Sequence, residues 1–241
     1  MNKNIFVNSE IGTLKKILVH SPDDGIGKVV PSKAQDWLFE DIVHLDVLRK
    51  NEYDYYTLLL LYFLDPLKIA GKLHEVLQNR DFLNPYKSSF YQSDKVIEIE
   101  KLLIEILHIE NIQLELIAAI IALEECPHKN HIEFKNYSPE QLAKTFISGI
   151  SANGIQYFPP IPNFIFTRDI GIVIKNYLVL NKPAKTARNR EALLAKYIFF
   201  NHPIFQTIHT NIIELDDLYP SYFIPNEEIE KEITLEGGDV M

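Results

Sequence analysis

The chain has 241 residues, of which 46% are hydrophobic and 24% are charged, and its formal net charge is -9. It is therefore long enough for one large or two small folded domains, and its negative charge argues against nucleic-acid and anionic membrane partners. The single cysteine excludes an intramolecular disulfide, and the lack of both a signal-peptide pattern and an apolar run of about 20 residues predicts a cytoplasmic protein.

The first part of the chain is typical of strands and turns. Leu14–His20 predicts a β-strand, and Ser21–Gly25 predicts the turn that ends it. Trp37–Val43 could form a second short extended segment. From about Leu48 to Ser148 the pattern becomes helical instead.

Several helices are predicted in this middle stretch. Tyr55–Leu64 is apolar without alternation, and Asp65-Pro66 favours the start of a new helix because proline is tolerated at the first helical position. Ser93 is a good cap residue and predicts a helix that begins there. Ile112–Leu123 has apolar residues at helical spacing. Ser138–Gln141 is a capping box, which predicts another helix start.

The last stretch returns to strands and turns. Gly171–Ile174 and Tyr177–Leu180 predict a β-hairpin, and Arg190–Phe200 predicts a helix. Ile233–Leu235 then leads into Glu236–Asp239.

These patterns favour an α/β domain with a helical insertion. We predict that residues 1–46 and 149–241 form the α/β portion and that residues 47–148 form the insertion, whose length is that of a domain or subdomain.

The densest group of candidate site residues lies between Pro159 and Asp169. Asn163, Phe166 and Asp169 follow one another at intervals of three residues, just before a predicted strand. A bend after Asn163 would bring them together. The alternative is a proline-rich loop in which Asp169 is a turn residue that pairs with Arg168.

Two further groups contain charged residues near turns. Glu236 and Asp239 flank two glycines, which let a backbone approach a ligand closely; the alternative is a tight turn with solvated acids. Arg188 precedes the last predicted helix and could hold a carboxylate with two parallel hydrogen bonds. The alternative here is a basic helix start, with Arg188 or Arg190 exposed.

A fourth group, Cys126–His131, has residue types that bind metals. It offers only three such residues at irregular spacing, whereas structural zinc sites usually need four. No base is placed beside Cys126 by the sequence, which argues against a nucleophile. We therefore expect a helix-to-loop segment, and neither a metal nor a cofactor.

Taken together, the order and spacing of the first three of these groups resemble the arginine deiminase family, within the guanidine-modifying or pentein superfamily. The matching segments are Ser9–Pro22, Leu38–Ile42, Pro162–Asp169, Pro183–Arg188 and Leu235–Met241. The helical stretch lies where that family carries a helical insertion. The chain is thus similar to the N-terminal portion of an arginine deiminase.

The resemblance implies a fold and a reaction. The fold would be part of an α/β propeller, in which five ββαβ units surround a pseudo-fivefold axis. The reaction would be hydrolysis of L-arginine to citrulline and ammonia. In that family a cysteine thiolate attacks the guanidinium carbon and a histidine transfers protons. Both of these residues would lie beyond Met241, so we expect the chain alone to be inactive.

The resemblance also implies roles for individual residues. Asp169 and Glu236 would bind the guanidinium nitrogens, with Glu236 assisting proton transfer. Arg188 would hold the α-carboxylate of the substrate. Asn163 and Phe166 would line the pocket beside the aliphatic part of the substrate. Asp239 would support the site.

Two positions depart from the family pattern. Tyr53 stands where a histidine is expected, and Ile170 where a small polar residue is more usual. Both departures bear on the choice of guanidine substrate.

The alternative functions are those of an amidinotransferase or dimethylarginine hydrolase of the same superfamily, and of a non-catalytic guanidine-binding or scaffold protein. The chain could also form a homo-oligomer.

Overall fold

A computed structural model describes residues 5–9, 11–215 and 234–239, apart from the side chains of His128, Lys129 and Asp239. Helices and short strands both occur, as the predicted α/β class requires. The chain divides into two compact units, one formed by residues 13–167 and the other by residues 1–12 with 168–241. The domain boundaries predicted above from the sequence pattern remain a prediction.

The first unit contains a parallel pair of strands. Strand β1 (Ile17–Val19) lies within the strand predicted at Leu14–His20, and it pairs with β2 (Val96–Glu98) so that Val19 is opposite Glu98. The helix predicted to begin at Ser93 is therefore wrong in its first turn. The Ser93 hydroxyl instead accepts hydrogen bonds from the amides of residues 95 and 96, and the chain turns into β2. Pairing with β1 has overridden the local helical pattern.

Helices make up most of the rest of this unit. They are α1 (Asp24–Gly27), α2 (Leu45–Leu48), α3 (Asp54–Leu64), α4 (Leu73–Gln78), α5 (Ile99–Leu107), α6 (Glu110–Leu123), α7 (His128–Phe134) and α8 (Pro139–Ser148).

The predictions for these segments have mixed outcomes. The helices predicted at Tyr55–Leu64 and Ile112–Leu123 are confirmed as α3 and α6. A 3-10 turn at Pro66–Lys68 replaces the helix predicted to start there. The short helix α1 begins within the predicted turn. The extended segment predicted at Trp37–Val43 is wrong, because these residues form turns and irregular structure.

Helix α8 shows how local sequence fixes an element. The Ser138 hydroxyl accepts from the Gln141 amide, and the Gln141 side chain accepts from the Ser138 amide, which confirms the predicted capping box. The helix ends at Gly149, which adopts the left-handed conformation. Buried side chains of α5, α6 and α8 pack into the core, among them Leu103, Leu116 and Phe146.

The second unit is built on a three-stranded sheet. Strands β3 (Gly171–Ile174) and β4 (Tyr177–Leu180) form the predicted antiparallel hairpin, and β5 (Ile212–Ile213) pairs in parallel with β4. Helix α9 (Asn189–Asn201) connects β4 to β5 and confirms the helix predicted there. Its buried residues pack towards β4, and Phe199 lies close to Gly171.

Within the described residues, no single helix is long and apolar enough to cross a bilayer, whereas α5 and α6, which meet at a bend of 111°, satisfy both criteria when taken together.

Candidate functional site

In the second unit, two of the predicted site residues, Asp169 and Glu236, come together around a third, Arg188. Its Nη2 atom donates to Asp169 Oδ2 at 3.2 Å, and its Nη1 atom donates to Glu236 Oε2. Arg188 is 6% exposed, whereas the side chains of Asp169 and Glu236 are 23% and 28% exposed. Two partly buried carboxylates therefore share one buried guanidinium group.

The secondary structure explains how residues far apart in the sequence meet. Asp169 lies just before β3, and Arg188 ends a 3-10 turn that leads into α9. Lys182 and Leu235 pair as an antiparallel bridge, with both N–H···O distances equal to 2.9 Å. This bridge places Glu236 beside the other two residues.

Gly237 is essential to the close approach of these segments. A Cβ atom at this position would lie 1.8 Å from the carbonyl oxygen of Arg168, which is far inside van der Waals contact. At Gly238 the nearest atom would be Asp169 Oδ1, at 4.0 Å. Only the first glycine of the pair is therefore needed for packing. Asp239 belongs to the same 3-10 turn.

The sequence reasoning missed a third carboxylate, that of Glu191. Arg188 Nε donates to Glu191 Oε2 at 2.9 Å, and Glu191 is 1% exposed. Burial raises the pKa of Glu191 to about 7, and Arg188 opposes this only in part. The signal that could have revealed it is the spacing of three residues from Arg188 in the first turn of a predicted helix.

The electrostatics of Arg188 follow from its partners. Burial lowers the pKa of the guanidinium group, but the carboxylates of Glu191, Glu236 and Asp169 outweigh burial and raise that pKa above its usual value. Glu191 Oε1 has no hydrogen-bond partner among the described residues. The cluster thus contains three acids around one arginine, an arrangement suited to binding a further positive charge.

The structure contradicts one of the alternative interpretations of these motifs and confirms another only in part. The exposed basic helix start is wrong, because Arg188 and Arg190 are both buried. The turn at Gly237–Asp239 is present, but Glu236 is held in an ion pair with Arg188 rather than simply solvated.

Asn163 and Phe166 belong to the first unit. Asn163 is buried, and its Nδ2 atom donates to the carbonyl oxygen of Trp37 at 3.1 Å. Phe166 is 49% exposed, and its ring centroid lies 6.3 Å from that of Phe39. Their predicted roles beside the substrate remain predictions, as does the supporting role of Asp239.

The two positions that depart from the family pattern have different surroundings. Ile170 is fully buried, so its apolar side chain is a core residue. Tyr53 ends a π-helical turn before α3, where its ring packs against Tyr56 at a centroid distance of 5.6 Å. Cys126 lies between α6 and α7, in the wall of an open cavity that also includes His131.

Comparison with known proteins gives consistent matches. Residues 123–241 match the family model for arginine deiminase. The arginine deiminase of Borrelia garinii subsp. bavariensis is 30% identical over 242 residues, which cover 98% of this chain and 52% of that protein. The enzyme of Borreliella afzelii is 29% identical over 84% of this chain and 47% of its own length. That of Bacillus cereus is 27% identical over 99% of this chain and 53% of its own length.

The chain thus spans about half the length of the curated relatives that it matches. Nearly all of it aligns with them, so the match extends well beyond the motifs themselves. These matches agree with the resemblance that the motifs indicated: the chain is similar to arginine deiminases over nearly its whole length.

Proposed function

We propose that this chain is the guanidinium-recognition portion of an arginine deiminase-type hydrolase, which converts arginine to citrulline and ammonia. One observation carries the proposal: Asp169 and Glu236 both accept hydrogen bonds from a single guanidinium group, that of Arg188. A pair of carboxylates around one planar cation is the element that recognition of a guanidine substrate requires.

In the proposed complex, the substrate guanidinium replaces that of Arg188 on Asp169 and Glu236. The Nη atoms of Arg188 then bind the α-carboxylate of arginine, while its Nε atom stays with Glu191. Each buried charge keeps an opposite partner through this exchange, which avoids the cost of an unpaired charge in a buried site. Glu236 also assists proton transfer at the guanidinium nitrogen.

Hydrolysis needs a nucleophile in addition to this recognition element. Cys126 is the only cysteine of the sequence, and it lies outside the motif segments that carry the family resemblance. We therefore propose that the catalytic cysteine follows Met241, as the family resemblance implies. This chain alone should then bind arginine without hydrolysing it.

A propeller fold would accompany this function. The second unit supports it, because β3, β4, α9 and β5 follow one another as a ββαβ unit in which the last strand is parallel to its neighbour. We propose that this is one unit of the five-unit α/β propeller. Because the named relatives are arginine deiminases, an amidinotransferase, a dimethylarginine hydrolase and a scaffold protein are not favoured.

Calorimetric titration of the 241-residue chain tests the recognition step. L-Arginine should bind, whereas L-citrulline, whose urea group is neutral, should not. Asp169→Asn and Glu236→Gln should each abolish the heat of binding. Asp36→Asn is a matched control, because Asp36 forms an exposed ion pair with Lys33 at 2.8 Å. A wild-type chain that gives no heat with arginine would rule out the proposal.

A second experiment tests the hydrolase step. The coding sequence read beyond Met241 should contain a cysteine and a His-x-Asp motif, and the extended chain should release citrulline from arginine faster than from methylated arginine. A faster release from methylated arginine would point to a dimethylarginine hydrolase. The absence of both the cysteine and the motif would refute a hydrolase altogether.

A further inference from the structure

A second group of chemically active side chains is buried in the first unit, at the ends of the parallel strands. His20 follows β1, Glu98 is the last residue of β2, and Glu100 lies in the first turn of α5. The three residues are 2%, 3% and 1% exposed. One ligand atom from each of them lies within 4.8 Å of the other two.

The imidazole of His20 is held between two carboxylates. Its Nδ1 atom lies 3.4 Å from Glu98 Oε1, and its Nε2 atom lies 3.6 Å from Asp23 Oδ2. The ring of Phe164 packs edge-on against it at a centroid distance of 5.0 Å. The two nitrogens therefore face different acids, and packing restricts rotation of the ring.

Acidic side chains outnumber basic ones in this cluster. Asp23, Glu98 and Glu100 surround one histidine, and no lysine or arginine of the described part of the chain forms an ion pair with any of them. The Ser21 amide and hydroxyl donate to Glu98, and the Tyr86 hydroxyl donates to Glu100. These neutral donors satisfy carboxylate oxygens in the buried site without supplying a positive charge.

An unpartnered hydroxyl beside the cluster gives an independent indication of a ligand. Tyr91 is 4% exposed, and its hydroxyl has no hydrogen-bond partner among the described residues. Tyr91 packs in the same core cluster as Val19 of β1 and Val96 of β2, the two strands whose ends carry His20 and Glu98. A buried hydroxyl normally has a partner, and a metal-bound water would provide one.

We propose that His20, Glu98 and Glu100 bind a divalent cation, with Asp23 as the outer carboxylate that orients His20. In this arrangement Nδ1 binds the cation on the Glu98 side, and Nε2–H donates to Asp23. Metal-binding histidines commonly donate their second N–H to a carboxylate in this way. The Tyr91 hydroxyl would bind a water of the cation.

The donor set selects among cations. One imidazole and two carboxylates are typical ligands of Zn²⁺, which binds nitrogen and oxygen atoms in a tetrahedral arrangement with room for one water. Mg²⁺ prefers six oxygen ligands and retains several waters, so this site should bind it poorly. The bound cation would tie the ends of β1 and β2 to the start of α5.

Calorimetric titration of the 241-residue chain, after treatment with a chelator, tests the proposal with Zn²⁺ itself. One equivalent should bind, and Mg²⁺ at the same concentration should give no heat. Glu100→Gln should weaken zinc binding by more than tenfold, and Asp23→Asn by 10–100-fold, as is typical of outer-shell partners.

Two control variants separate this site from other zinc ligands of the chain. His108→Gln removes an exposed histidine that lies 3.7 Å from Glu140, and Cys126→Ser removes the only thiol. Both should bind zinc as the wild type does. Loss of zinc binding in either control, with retention in Glu100→Gln, would overturn the proposal.

The free energy of unfolding, measured with and without zinc, tests the proposal even if a substitution destabilises the protein. Zinc at 100 times its dissociation constant should raise the free energy of unfolding of the wild type by about 2.7 kcal/mol. It should leave Asp23→Asn, whose side chain is partly exposed, much less stabilised. If zinc stabilises both proteins equally, or neither of them, the cation is not bound by this cluster.

Discussion

Replacement of Gly237 by alanine tests how the Glu236 segment is held against the segment that contains Asp169. The added Cβ would lie 1.8 Å from the carbonyl oxygen of Arg168 and 2.7 Å from its carbonyl carbon. Both atoms belong to the backbone, so no side-chain rotation can relieve the contact. The two segments would have to separate by roughly 1.5 Å to restore an ordinary contact, and overpacking of this kind typically costs about 1–3 kcal/mol.

Gly238→Ala is the matched control for this substitution. Its Cβ would meet nothing closer than Asp169 Oδ1, at 4.0 Å. Because alanine restricts the unfolded chain more than glycine does, this variant should be unchanged or more stable by about 0.4–1 kcal/mol. The two variants thus add the same methyl group to neighbouring residues, but only Gly237→Ala should lower the free energy of unfolding.

Urea denaturation followed by circular dichroism measures that free energy, and hydrogen exchange locates the change. The amides of Lys182 and Leu235 donate to one another's carbonyl groups at 2.9 Å. Both amides should exchange faster in Gly237→Ala and at the wild-type rate in Gly238→Ala. Equal stability and equal exchange in the two variants would refute the account of this contact.

Three further predictions concern single residues. Because burial raises the pKa of Glu191 to about 7, the folded protein keeps a proton that the unfolded chain loses near pH 4.5, so stability should fall as pH rises between these values, by up to ~1.4 kcal/mol per pH unit. Urea titrations in this range should show a smaller fall for Glu191→Gln; an identical slope would contradict the assignment. Gly149→Ala should lower the thermal midpoint more than Gly154→Ala, since both glycines have positive φ but only Gly149 would place a Cβ 2.0 Å from a carbonyl oxygen. Ser138→Ala should lower the free energy of unfolding by about 0.5–2 kcal/mol through loss of its cap, and no change would mean that the cap contributes little.

Local sequence was enough to predict elements whose signals are local. The capping box at Ser138 and the hairpin around Lys175-Asn176 involve neighbouring residues, and both are confirmed. Strand β2 could not be predicted in this way, because its partner lies almost 80 residues earlier. Val96 and Ile97 fit a helical pattern as well as an extended one, so only the tertiary pairing decides between them.

The candidate site, too, could be predicted from the sequence only in part. The order of the motifs identified Asp169, Arg188 and Glu236 as candidate site residues, and the structure places these three together. The partners of Arg188 could not be predicted, because one of them lies 48 residues away and a second, Glu191, is a helix residue with no motif of its own. Burial, rather than residue type, distinguishes Glu191 from an ordinary helical acid.

The contact between Ser21 and Glu98 has a consequence for synthesis of the chain. These residues are separated by 77 positions, so the ribosome must add most of the first unit before the contact can form. Until then the newly made segment at Ile17–Val19 lacks its partner strand and is open to mispairing. Closing so long a loop is entropically costly, and formation of this contact is therefore expected late in the folding of the unit.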